Sequence, residues 1–258
     1  VPHHWFCDQF SEKCELQSYN FFHRNLKKGS TFLDIGGWVG PTAFIATSLG
    51  AGKVKIIEPN PFNFFHLLSS QFNNGLMANW FLVNACISDQ NGSKVIGPIN
   101  GIKSGSSATN IRDQNQDGAQ IISLKLQDIL HGEDDLSLIK IDIEGAEELI
   151  ISDLAALAGH DAAIWLSLHP PHFKNKARFL ETLLTLETTF FFVDGDNAAL
   201  TAEIISHQVM STEEKPDWGT EWGNCFEIGL LPRKYFSPSK NGLSRMETNG
   251  QKINNKAA

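Results

Sequence analysis

The stretch Thr31–Gly40, TFLDIGGWVG, constrains this chain more than any other. An apolar run closes on a carboxylate, Asp34, and is followed by Gly36, Gly37 and Gly40 and then by PTAFIATSLG. Thr31, Phe32, Leu33 and Ile35 suit a buried strand, the glycines allow a sharp turn that a ligand can approach, and Pro41 suits the first turn of a helix. Strand, glycine turn and helix form the opening unit of an open α/β sheet, where ligands sit beyond the carboxyl ends of the strands. The stretch therefore predicts a nucleotide-type cofactor site, with Asp34 placed to face a positively charged group.

Ahead of it, Glu15–Leu26 has helical spacing and stops at Gly29. After it, Lys53–Glu58 (KVKIIE) reads as a second strand that ends in an acid. Glu58 lies about 20 residues beyond the glycine turn, where a doubly wound site carries the carboxylate that accepts hydrogen bonds from two ribose hydroxyls. Pro59–Pro61 opens a helix, and Trp80–Ser88 (WFLVNACIS) reads as a third strand with Asn84 and Ala85 placed to flank an adenine ring. Asp89–Gly92 (DQNG) is a hairpin signal. The Gly/Ser-rich excursion that follows, residues 97–118, shows no helical period, and Ser104–Thr109 within it either lines a site or is mobile.

Ala119–Leu126 alternates as a strand. In Leu138–Glu148 (LIKIDIEGAEE), Ile139, Ile141 and Ile143 alternate with Lys140, Asp142 and Glu144, which puts three charges on one side of an extended segment. A central parallel strand is expected to be apolar on both faces, so the charges need a reason. Lys140 suits an internal ion pair, while Asp142 and Glu144 lie near the carboxyl end, where the chemistry of this architecture sits. Ala162–His169 reads as a fifth strand, and His169 at its end is a candidate general base. His172 is a weaker candidate.

Lys174–Glu187 is predicted helical and Thr188–Val193 extended, with Asp194–Asn197 as a turn. Trp218 and Trp222 precede a last strand, Cys225–Leu231, and are either packing anchors or an aromatic platform. The chain divides into a lead-in over residues 1–30, one α/β domain over 31–236, and a tail over 237–258 that is polar, aperiodic and expected to be disordered.

With 258 residues there is room for one large α/β domain. A net charge of −8 argues against a nucleic-acid partner. No apolar run of about 18 residues occurs, so no membrane span is expected. Four cysteines without a CxxC pair suit a reducing compartment, the cytoplasm, and the His3, His4, Cys7, Cys14 group matches no standard metal spacing. A start at Val1 is the expectation for a processed chain or a fragment. Oligomeric state is not legible.

Together FLDIGGWVG, IIEPNP, NACISDQNG, SGSSAT, LIKIDIEGAEELII and LSLHPP resemble the FkbM family of class I S-adenosylmethionine-dependent methyltransferases, over roughly Phe21 to Leu231. The resemblance implies a doubly wound, Rossmann-like, mostly parallel sheet of seven strands that ends in an antiparallel hairpin of Thr188–Val193 with Cys225–Leu231. It also implies O-methylation of a sugar, glycan or secondary metabolite. Asp34, Gly36, Gly37 and Gly40 would surround the methionine moiety of the cofactor, Glu58 the ribose, and Asp142 the transferring methyl. Gly37-Trp38 stands where a small residue followed by Asn is usual. Ser167-Leu168-His169 stands where an acid often precedes the histidine, which leaves the base open among Asp142, Glu144 and His169.

In-line displacement needs mainly orientation and a base. The same three side chains form a plausible ligand set for a divalent metal, but a metal-free course is preferred. An NAD-dependent dehydrogenase is disfavoured because DIGGWVG is not GxGxxG. A non-catalytic cofactor-binding module is disfavoured by the retained Asp34, Glu58 and Asp142.

Overall fold

The computed structural model describes residues 16–104, 109–112, 116–211, 226–239 and 242–246. His3, His4, Cys7, Cys14, residues 105–108, Trp218, Trp222, Cys225 and the chain beyond Met246 lie outside the described residues. Helix α1 (Leu16–Asn25) precedes β1 (Thr31–Ile35), α2 (Pro41–Ser48), β2 (Lys53–Ile57), α3 (Pro61–Asn73) and β3 (Trp80–Val83). A second group comprises β4 (Cys86–Ile87), β5 (Gly92–Gly97), α4 (Ile99–Ser104), β6 (Asn110–Arg112) and β7 (Ala119–Leu124). Then come α5 (Leu126–Leu130), β8 (Leu136–Ile141), α6 (Glu147–Ile150), a 3₁₀ run over Ile151–Gly159, and β9 (Ala163–Leu168). The chain continues through α7 (Lys176–Thr185), β10 (Phe190–Val193), α8 (Ala202–Met210), β11 (Phe226–Pro232), β12 (Phe236–Ser239) and β13 (Gly242–Arg245).

The main sheet has seven strands in the order β10-β11-β9-β8-β1-β2-β3. All pairs are parallel except those of β11, which runs antiparallel to β9 and β10. This is the expected Rossmann-like arrangement with its antiparallel close. Every residue of β1 and β8 is buried, as central strands covered on both faces require. Alternation sends Leu33, Ile35, Ile139 and Ile141 into one core with Phe179 and Val209, and Phe32 and Leu138 into the other with Phe22, Ala46 and Trp80. The chain leaves β1 toward β2 and β3, and β8 toward β9, so the strand order reverses between β1 and β8. A crevice opens at such a switch point.

Four local expectations are corrected. The third strand stops at Val83, because the Asn84 side chain turns back to donate to the carbonyls of Glu58 and Pro59, and Cys86–Ile87 joins a second sheet. That sheet has the order β4-β7-β5-β6, so β7 lies between the strands flanking Asp89–Gly92 and the turn is not a hairpin. The excursion after Gly97 holds the short helix α4. Finally, the segment from Ser237 begins as the hairpin β12–β13, not as a disordered tail. Arg245 bonds Asp161 and covers the Phe236 ring, and Leu243 is buried, so these strands are fixed by distant contacts that a local pattern does not show. Helix α8, absent from the sequence reading, starts at Thr201, whose side chain accepts from the N–H of Ile204. Among the described residues no helix is long and apolar enough to cross a membrane.

Candidate active site

Beyond β1 the chain turns at Gly36, with φ of 82°, and the N–H groups of Gly36 and Gly37 both donate to the carbonyl of Ile57, at 2.9 and 3.1 Å. The turn is thereby held against the end of β2. The glycines are needed for different reasons. A Cβ on Gly36 would overlap the Asp142 carbonyl, one on Gly37 would stand 2.2 Å from Ile56 Cγ2, and one on Gly40 would press on Leu67 and Trp80. Trp38 takes the left-handed conformation with φ of 47°, and its N–H donates to Glu58 Oε2 at 2.8 Å.

Asp34 is fully enclosed, and the positive group facing it is Lys140, its register partner on β8. Lys140 Nζ lies 3.7 Å from Asp34 Oδ1 and 3.1 Å from Asp142 Oδ2, and donates to the Gly36 carbonyl at 3.1 Å. Asp34 Oδ2 accepts from the Thr42 hydroxyl at 2.7 Å, which ties the strand end to α2. Burial pushes the Asp34 carboxyl above its usual value, against the opposing pull of Lys140 and Thr42. For Asp142 burial acts upward too, but Lys140 and then His169 outweigh it and the carboxyl is held below its usual value. One buried ammonium thus joins the glycine turn to the end of β8.

Glu58, at the end of β2, accepts the Trp38 N–H through one oxygen and the Asn60 N–H through the other, at 2.8 and 2.7 Å. Burial pushes its carboxyl up to about 8, with those two hydrogen bonds acting in the opposite direction. Ala85 is enclosed in the core next to Asn84, whose amide is engaged with the carbonyls of Glu58 and Pro59.

The expected alternation of three charges along one extended segment fails beyond Ile141, where β8 ends. Asp142 still donates its N–H to the Ile35 carbonyl at 2.9 Å, but Glu144, with φ of 53°, and Gly145, with φ of 96°, form a left-handed turn. That turn brings Glu144 to the same place as Asp142 by another route. His169, buried at the end of β9, directs Nε2 at both: 3.5 Å from Asp142 Oδ1 and 3.6 Å from Glu144 Oε2. Ligand atoms of these three residues all lie within 4.8 Å of one another. Burial drives the Glu144 carboxyl up to about 7; the neighbouring Asp142 and Glu147 charges push the same way, and His169 and Lys140 oppose them. His172 lies farther off, its ring 6.5 Å from that of His169, and burial together with the His169 charge lowers its basicity.

Glu147 was missed in the sequence reading. It is buried, accepts the N–H groups of Ile143 and Gly145 at 3.1 and 2.9 Å, and lies 3.0 Å from His169 Nδ1. The available signal was a carboxylate just after a glycine turn, at a helix start, where an acidic side chain reaches back to free N–H groups.

The chain matches the Methyltransferase FkbM domain over residues 29–202. None of the curated proteins compared with it matches. Among solved structures it is similar to the methyltransferase FkbM from Methylobacillus flagellatus, at 15% identity and a TM-score of 0.48, covering 79% of this chain and 44% of that one. The chain thus spans less than half the length of that protein. It is also similar to a TehB-like SAM-dependent methyltransferase from Corynebacterium glutamicum (12% identity, TM-score 0.42, 88% of this chain and 96% of that one). A third is the precorrin-6y C5,15-methyltransferase from Geobacter metallireducens (14% identity, TM-score 0.41, 84% and 85%). The domain match runs from the turn before β1 to the start of α8, and so takes in the glycine turn, Glu58 and the Asp142–Glu144–His169 group; the chain belongs to the FkbM methyltransferase family.

Proposed function

We propose that this chain transfers a methyl group from S-adenosylmethionine to a hydroxyl of a sugar, a glycan or a secondary metabolite. The observation that carries the reading is the meeting of the glycine turn with Asp142, Glu144 and His169 at the switch point of a chain of this family. The residues fit the cofactor. Glu58 accepts the Trp38 and Asn60 N–H groups and a side-chain hydrogen bond from Asn63, and its carboxyl oxygens retain room for a ribose hydroxyl.

Glu58 would hold the ribose, and Gly36 and Gly37 would let the backbone approach the methionine moiety. Asn84 and Ala85 would lie on the adenine side, and Asp142 beside the methyl. Asp34 and Gly40 act from behind, Asp34 by fixing Lys140 and Thr42, and Gly40 by letting α2 start against Trp80. When bound, S-adenosylmethionine supplies an electrophilic methyl on a positively charged sulfur. The chain's own residues orient the acceptor, exclude water and receive its proton. His169 is the base, acting through Nε2, and the Asp142 and Glu144 oxygens 3.5 and 3.6 Å from that nitrogen steady the charge it gains.

A metal-free course is favoured because Lys140 already gives Asp142 a positive partner at 3.1 Å. A second cation would have to share that carboxylate.

The test is calorimetric titration with S-adenosylhomocysteine, NADH serving as control, on the wild-type chain and Glu58→Ala. Binding weakened about tenfold by the substitution is expected, since hydrogen bonds between the Glu58 carboxyl and the ribose are lost. Binding of NADH alone would overturn the reading. Binding of S-adenosylhomocysteine with no turnover on any hydroxylated acceptor would support a non-catalytic module.

A further inference from the structure

Behind His169 lies a carboxylate that the proton transfer itself does not require. Glu147 is 1% exposed, and a charge so deeply enclosed is costly unless its acceptor capacity is used. Oε1 accepts the Ile143 N–H at 3.1 Å and lies 3.0 Å from His169 Nδ1, while Oε2 accepts the Gly145 N–H at 2.9 Å. The two amides flank Glu144, the residue in the left-handed conformation. A single side chain therefore holds both the turn that delivers Glu144 and the imidazole at the end of β9.

The consequence for His169 follows from its chemistry. When Nδ1–H donates to a carboxylate, the lone pair of the neutral ring sits on Nε2. That is the nitrogen facing Asp142 Oδ1 and Glu144 Oε2. We propose that Glu147 is the positioning residue of this site: it fixes His169 in the Nδ1–H tautomer with Nε2 turned toward Asp142 and Glu144, and its charge steadies the ring once Nε2 is protonated. The acceptor hydroxyl gives its proton to Nε2, the Nδ1 proton stays on the ring, and Glu147 remains ionised. Only the proton step rests on the function proposed above; the tautomer does not.

The test is ¹⁵N-histidine NMR across a pH titration of the whole chain, with His169→Gln to assign the signal, on wild type, Glu147→Gln and Glu147→Asp. Among the described residues, Asp142, Glu144 and His172 face the ring besides Glu147, with Lys140 beyond Asp142. The neutral wild-type ring is expected to carry its proton on Nδ1. In Glu147→Gln the titration midpoint should fall by about one pH unit, because an adjacent negative charge is gone, and Glu147→Asp should recover part of it. A neutral wild-type ring protonated on Nε2 overturns the proposal, whether or not the variants fold. So does an unchanged midpoint in Glu147→Gln. Titration of the same samples with S-adenosylhomocysteine keeps the two readings apart: failure to bind removes the methyl-transfer reading and leaves the tautomer result standing.

Discussion

Gly36 and Asp142 meet backbone to backbone: a Cβ on Gly36 would stand 1.7 Å from the Asp142 carbonyl oxygen, and Gly36 itself sits at φ of 82°. This contact closes the gap between the glycine turn and the end of β8. Gly36→Ala must therefore move one of the two segments while adopting a left-handed backbone. A loss of about 2–4 kcal/mol is expected. Urea denaturation checks the stability, and calorimetry with S-adenosylhomocysteine should show binding lost as well; a variant of wild-type stability would mean that the turn yields freely.

Lys140 compensates two carboxylates, one of them fully enclosed. Lys140→Met leaves Asp34 and Asp142 without their ammonium and should cost about 3–5 kcal/mol. Replacing Asp34 by Asn in the same chain removes one stranded charge, so the double variant should be more stable than Lys140→Met alone. Equal stabilities in chemical denaturation would show that Asp34 and Lys140 are not coupled.

Glu58 predicts a pH dependence of opposite sign to that of most acids. Its carboxyl stands at about 8 in the fold, against an ordinary value of 4.5 in the unfolded chain. The folded state thus holds a proton that the unfolded state has released. The contribution to stability is full below the ordinary value and is lost as pH rises toward about 8, by at most about 1.4 kcal/mol per pH unit. Melting temperature of the ligand-free chain should fall over this window, and Glu58→Gln should flatten the slope. An identical slope in the variant would assign it to another group.

Asn197 ties the turn after β10 to two other elements. At φ of 62° it accepts from Asn25 Nδ2 at 2.9 Å and donates to Asn25 Oδ1 and the Leu243 carbonyl, both at 3.2 Å. Asn197→Ala loses these bonds and replaces a residue that tolerates the left-handed region with one that tolerates it less, at a cost of about 2–3 kcal/mol; Asn197→Gly should be about 1 kcal/mol milder. Thermal and urea melts of the pair decide whether the backbone contributes.

The metal-free course makes a prediction about chelation. Once a hydroxylated acceptor is found, dialysis against EDTA should leave the rate within about twofold of its starting value. A fall of two orders of magnitude, reversed by Mg²⁺ or Mn²⁺, would reassign Asp142, Glu144 and His169 as ligands.

Much of the architecture was legible because its signals are local. The apolar run ending at Asp34, the spacing to Glu58 and the strand end at His169 depend on neighbours a few residues away, and all three stand at carboxyl ends of the main-sheet strands or just beyond them. Where local pattern misled, a distant group had intervened. Asn84 ends β3 by bonding the carbonyls of Glu58 and Pro59, and the β12–β13 strands depend on Asp161.

The amino-acid sequence by itself determined the chain order of the main-sheet strands, the glycine turn and the supply of carboxylates and histidine at strand ends, because periodicity and backbone preference act within a few residues. Only the tertiary structure decided what each charge faces. The parallel register of β1 with β8 sets Asp34 opposite Lys140, and the left-handed turn after β8 brings Glu144 and Glu147 to either side of His169. Burial then makes those pairings obligatory, since a charge removed from water requires a partner within a few ångströms, and which partner that is depends on packing between segments far apart in the chain.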